Sequence, residues 1–248
     1  MRFRTPFLCI VAAVPLVMLH GVVPRSVENV PSIAITDVSL FDADLRQMRR
    51  SMTVVLRGDR ILAVGPDRET TVPAGAHRID GRGKTLLPAF VSAHAADQDL
   101  LPLANLNPAE LSRFIAVQKG WQIAIAPRLV QMEQELVDEQ QDEPSFERLL
   151  TLVRKLHHAG VPIIVKADSS LRELELYEKA GVSRLDILYG ATLGAARIMN
   201  RDDQRGSIQR GKLADLLLID GAPDRHIADV HKVALVIKGG QITNPSVH

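Results

Sequence analysis

The residues whose types could do chemistry sit at the ends of apolar runs. His94 follows Leu86, Leu87, Phe90 and Val91, a strand-type run fed by a polar turn containing Gly81 and Gly83. Asp168 follows the run Val161 to Val165, with Lys166 two residues before it. The end of a buried strand is where α/β folds place catalytic and metal-binding groups. Imidazole is a common ligand of zinc-type ions. Each residue also has a structural reading. His94 can be a strand-end histidine without metal, and Asp168 a salt-bridged or helix-capping aspartate before Ser169-Ser170. In an extended strand Lys166 and Asp168 share a face, so the ammonium could supply the positive charge a metal otherwise provides.

The remaining candidates are weaker. His157-His158 lies near a helix C-terminus, where histidine suits the dipole, and adjacent helix positions diverge as ligands. His226 and His231 read as surface loop residues, and Glu133, Glu135, Asp138 and Glu139 as a solvated charged face. No glycine-rich phosphate loop, Gly-x-Ser-x-Gly elbow or Cys-His pair is present.

Positioning these groups is the work of a chain of 248 residues, 46% apolar and 24% charged, with net charge +1. That balance disfavours nucleic acid as a partner, and the 4% aromatic content disfavours a base-stacking surface. Arg2 and Arg4 precede an apolar run from Pro6 to about Leu19, the form of a secretory signal peptide. Residues 1–23 therefore read as a signal peptide or N-terminal anchor, implying a protein exported to the periplasm or exterior, or held on a membrane. The single cysteine, Cys9, lies inside that segment.

Strand patterns follow at Ile33 to Phe41, Thr53 to Leu56, Arg60 to Val64 and Ala74 to Ile79, before any helix. From Leu86 strands and helices alternate. Asn107-Pro108 opens a helix that Gly120 closes, and Trp121 to Ala126 reads as a buried strand. Leu129 to Val137 is helical, a helix capped by Ser145 runs to Gly160, and Val161 to Val165 is a further buried strand. Leu171 to Ala180 and Ser183 to Met199 are helices, and strand patterns return at Ala214 to Ile219 and Val233 to Lys238.

Both ends of the chain resemble the metal-dependent amidohydrolase superfamily. VVLRGDRILAVGP and IDGRGKTLLPAFVSAH resemble its opening hairpin and the strand that ends in a His-x-His metal motif. AGVSRLDILYGATLGAARIMN, GSIQRGKLADLLLIDGAP and VIKGGQI resemble its closing segments, and AGVPIIVKADSS the strand carrying its metal-binding, water-activating aspartate. The resemblance implies hydrolysis of a carbon–nitrogen bond in a small molecule, a divalent metal such as zinc, and His94 and Asp168 as ligands. Ala96 stands where the second histidine of the motif would be.

The implied fold is α/β: a (β/α) barrel of TIM-barrel type beside a small β-sandwich made from both chain ends. Residues 32–83 plus 207–244 would form the sandwich and 84–206 the barrel. A full barrel takes roughly 200–250 residues, about twice that stretch, so several strands should be missing. Open strand edges favour a homo-oligomer that covers them.

Overall fold

Adjacent buried residues along Ser32–Asp42 (β1), with Leu40 in one core and Phe41 in another, place this strand between two apolar layers. The computed structural model describes residues 31–92, 100–138, 143–167 and 170–243. Residues 1–23, expected from sequence to be a signal peptide or anchor, lie outside them. β1 is followed by Gln47–Arg57 (β2), Arg60–Pro66 (β3), His77–Asp80 (β4) and Thr85–Pro88 (β5). Six helices come next: Pro108–Gly120 (α1), Leu129–Asp138 (α2), Glu143–His158 (α3), Arg172–Lys179 (α4), Arg184–Ala191 (α5) and Leu193–Ile198 (α6). Leu216–Ile219 (β6), Val233–Lys238 (β7) and Gln241–Thr243 (β8) close the described chain. Among the described residues no helix is long and apolar enough to cross a membrane.

The strands form one eight-stranded sheet in the order β3-β2-β1-β5-β6-β7-β8, with β4 beside β1. β5 runs parallel to β1 and antiparallel to β6, so strands from both chain ends meet in its middle. The sheet curls back on itself. Ile61 N–H donates to the Lys212 carbonyl at 2.9 Å, Gly211 N–H to the Ile61 carbonyl at 2.8 Å, and Ala214 N–H to the Asp59 carbonyl at 2.8 Å. The described strands thus make one curled sheet rather than two stacked ones. Its turns also meet: Gly240 N–H donates to the Ala214 carbonyl at 3.0 Å, and Gly240 backs directly onto the Gly58 carbonyl.

Two cores flank the central strands. Leu40, Leu86 and Leu218 face inward on the curl with Ile35, Val54 and Leu56. Their neighbours Phe41, Leu87 and Ile219 face the other way, into the core built by the helices. The period-two pleat places adjacent residues on opposite faces, so a strand buried on both sides reads as a continuous apolar run, as TLLP and LLLI do.

The helical half departs from expectation in four places, one of them Val161 to Val165, which forms no strand and pairs only through the Ile163 bridge. Ser145 lies within the first turns of α3, not ahead of it, and its hydroxyl accepts from Arg148 at 2.8 Å. Trp121 to Ala126 is not a strand. Trp121 is 78% exposed, and the pairing reduces to one parallel bridge between Ile125 and Ile163. A strand without flanking partners has no ladder to join. The expected helix Ser183 to Met199 breaks at Thr192 (φ −122°, ψ −95°) into α5 and α6. The break frees carbonyls that a continuous helix would use internally. Gly190 O instead accepts from Val165 N–H at 3.3 Å, and Ala191 O from Val91 N–H at 2.9 Å. Only glycine allows that approach, since a Cβ at 190 would lie 2.9 Å from the Ile163 carbonyl. The asparagine start of α1 holds as expected, with Asn107 and Glu110 forming a capping box.

Candidate active site

His94 and Asp168 lie outside the described residues, as does Ala96. The chain leading to each is described, and the two leads converge. Val91 and Val165, each three positions before its candidate residue, hang on the consecutive carbonyls of Ala191 and Gly190. Val91 and Ile164 then pack with Ala126, Ala195 and Ala196 in one small apolar cluster. The broken end of α5 is therefore the clamp that brings the two segments side by side.

Lys166 is half-buried. Just past it Ala167 N–H donates to the Val165 carbonyl at 3.1 Å, a tight turn between residues 165 and 167. That turn interrupts the extended geometry from which a shared face for Lys166 and Asp168 was expected. Lys166 stands close enough to act electrostatically on Glu173.

Glu173 was not singled out in the sequence. It is 3% exposed, on the inner face of α4, and its two oxygens accept from the Leu129 and Val130 amides at 2.7 and 2.9 Å. The carboxyl thus caps the N-terminal turn of α2, where unpaired N–H groups favour an acceptor. Burial pushes its pKa up to about 7, against the pull of those two amides and of the Lys166 and Arg128 charges. Four residues on, Tyr177 is fully buried, its hydroxyl 3.0 Å from the Pro127 carbonyl and 3.3 Å from that of Ile164. Burial, with the Glu173 charge, raises the phenol well above its ordinary pKa. The usable signal was the i, i+4 spacing of Glu173 and Tyr177 on a helix whose apolar stripe includes Leu174.

The other candidates are structural. Glu133 pairs with Arg172 at 2.6 Å, Glu135 accepts from Gln131 and Asp138 from Gln134, a solvated face as expected; Glu139 lies outside the described residues. His226 is exposed, and His231 contacts Glu175 at 2.7 Å on the surface. His157 faces Asp186 at 3.5 Å, and burial lowers its pKa despite that carboxylate.

Comparison with known structures identifies the fold. The chain resembles a Xaa-Pro dipeptidase with bound methionine in its active site (TM-score 0.64, 12% identity, 86% of this chain and 100% of that one). It also resembles phenylurea hydrolase B (0.62, 15%, 86% and 97%) and the A. niger ochratoxinase (0.59, 12%, 88% and 97%). The class is thus a mixed α/β fold shared with these structures, carried on an eight-stranded sheet.

Sequence agrees. Residues 139–243 match the amidohydrolase family, and a segment of 69 residues is 32% identical to the imidazolonepropionase of Streptomyces coelicolor. That segment is 28% of this chain and spans 17% of the length of that relative. These matches tie residues 139–243 of the chain to the amidohydrolase family by sequence.

Proposed function

We propose that the chain carries amidohydrolase chemistry in reduced form: a hydrolase of carbon–nitrogen bonds outside peptides, acting on a small molecule, with impaired or no turnover. The single observation supporting a retained site is the clamp at Gly190 and Ala191, which gathers the segments leading to His94 and Asp168. In this reading Asp168 is the proton-accepting carboxylate, His94 is the remnant of the metal motif, and Lys166 supplies positive charge in a metal's place.

The donor set does not fit a resident catalytic metal. Catalytic zinc takes three protein ligands, and this reading offers one imidazole and one carboxylate. Among the described residues no three His, Cys, Asp or Glu side chains come together, and Glu173 spends both oxygens on backbone amides. No step is therefore derived through a metal.

Elemental analysis of the purified full chain for Zn, Fe, Mn and Ni, with its native mass, tests the proposal. About one metal per chain would overturn the metal-free reading of the site, turnover in an amide, lactam and ester screen would support a retained hydrolase, and no turnover leaves only the non-catalytic reading. Lys166→Gly is expected to raise metal occupancy if the ammonium stands in for the ion; stoichiometric zinc in both forms would refute that role. The second reading is a non-catalytic binding protein, favoured by a cavity that borders the clamp at Ile164 and Val165. Export, and a homo-oligomer covering open sheet edges, complete the proposal; a monomeric native mass would remove the oligomer.

A further inference from the structure

A cavity of about 510 Å³ runs along residues 160–165, within the size range of small-molecule sites. Its polar wall is Arg46, Lys119, His157, Asp186, Tyr189 and Arg197, and neither Lys166 nor Glu173 lines it. Three permanent cations therefore face one carboxylate, and that carboxylate is already engaged. Asp186 bonds the Arg46 guanidinium and the Ser183 hydroxyl, each at 2.6 Å, and these hold its carboxyl below the usual range against the push of burial. Burial keeps His157 toward its neutral form.

The other two cations are less committed. Arg197 meets the Tyr189 hydroxyl at 3.1 Å, but its carboxylate partners Asp44 and Asp202 are at 3.5 and 3.8 Å. The exposed Lys119 ammonium has no hydrogen bond or ion pair among the described residues. Arg46 lies 3.9 Å and Arg197 5.9 Å from the Tyr189 ring centre, so the aromatic ring orders both guanidinium groups. The cavity's apolar lining includes Ile163, Val165, Val182 and Ile198. Two of the cavity's residues, Arg46 (φ 47°) and Gln122 (φ 51°), hold left-handed backbone that non-glycine residues adopt at a cost.

We propose that this cavity binds a small organic carboxylate with an apolar body, its carboxylate received by Lys119 and Arg197 and its body laid against Ile163, Val165 and Ile198. The surplus of cations selects an anion, and the apolar wall requires a hydrocarbon or aromatic part, which excludes bare phosphate. This ligand site is independent of the hydrolase reading.

Trp121 is the only tryptophan and adjoins Gln122 on the cavity wall, so its fluorescence reports occupancy. Calorimetry and tryptophan titration of the full chain would compare 3-phenylpropionate, its neutral amide and inorganic phosphate. The acid is expected to bind at least about tenfold tighter than either, a gap of about 1.4 kcal/mol. Lys119→Glu, on the solvent side of α1, should remove that preference at unchanged melting temperature, and Ile198→Trp should weaken acid and amide together by filling the cavity. Equal affinity for acid and amide, equal affinity for phosphate, an unchanged preference in Lys119→Glu, or no binding at millimolar ligand would each overturn the proposal.

Discussion

Gly240→Ala is expected to destabilise the protein by about 3 kcal/mol, combining left-handed backbone strain with overpacking. Gly240 has φ +72°, and a Cβ there would lie 1.7 Å from the Gly58 carbonyl oxygen. That atom is backbone, so no side-chain rotation relieves the contact; the β2–β3 and β7–β8 turns would have to separate. Gly239, one residue earlier at φ +54°, faces open space, and a Cβ there would meet nothing within 4 Å. Gly239→Ala should therefore cost only the backbone term, about 1 kcal/mol. Urea unfolding of both variants measures the difference. If the two alanine variants were equally stable, the turn-to-turn contact that closes the curled sheet would be absent in solution.

The second large effect is a pH dependence centred on Glu173. Its folded-state pKa, pushed up to about 7 from 4.5, means that the folded chain holds a proton the unfolded chain releases more readily. The stabilisation this provides is complete below about 4.5, declines between 4.5 and 7, and is gone above 7. A shift of that size corresponds to about 3 kcal/mol. Urea midpoints taken at pH 5 and pH 8 should fall with pH in the wild type. Glu173→Gln should flatten this window, because the amide carries no charge to bury and still offers one oxygen to the start of α2. An unchanged slope in Glu173→Gln would assign the pH dependence to other groups.

The parts of the structure legible in the sequence are those decided by neighbours along the chain. Asn107, Pro108 and Glu110 specify a helix start within one turn, and the hairpin of β2 and β3 follows from strand patterns around Gly58-Asp59. The resemblance of the terminal segments brought both chain ends together, but as a sandwich; the strands instead join in one sheet. What escaped was decided by contacts at long range. α5 and α6 read as one helix because Thr192 is an ordinary helical residue by type; the break answers to Val91 and Val165, which take the α5 carbonyls. Glu173 read as one more charge on a polar helix because its partners, the Leu129 and Val130 amides, lie in another element. Trp121 to Ala126 has strand composition, yet a ladder needs a partner strand over several residues and this segment meets one at Ile125 only, which composition does not show.

The pairing of Thr85 with Ile219 at the centre of the sheet has a consequence for how the chain is made. During synthesis β5 emerges long before β6 exists, so Leu86 and Leu87 wait with both of their final layers incomplete. Such non-local closure slows folding and leaves an apolar strand edge available to other chains in the interval. The newborn protein should therefore depend on holding factors until its last strands are released. Truncations before Leu216 should aggregate rather than yield a smaller folded unit, because β5 would lose its β6 partner and both apolar layers would lose residues.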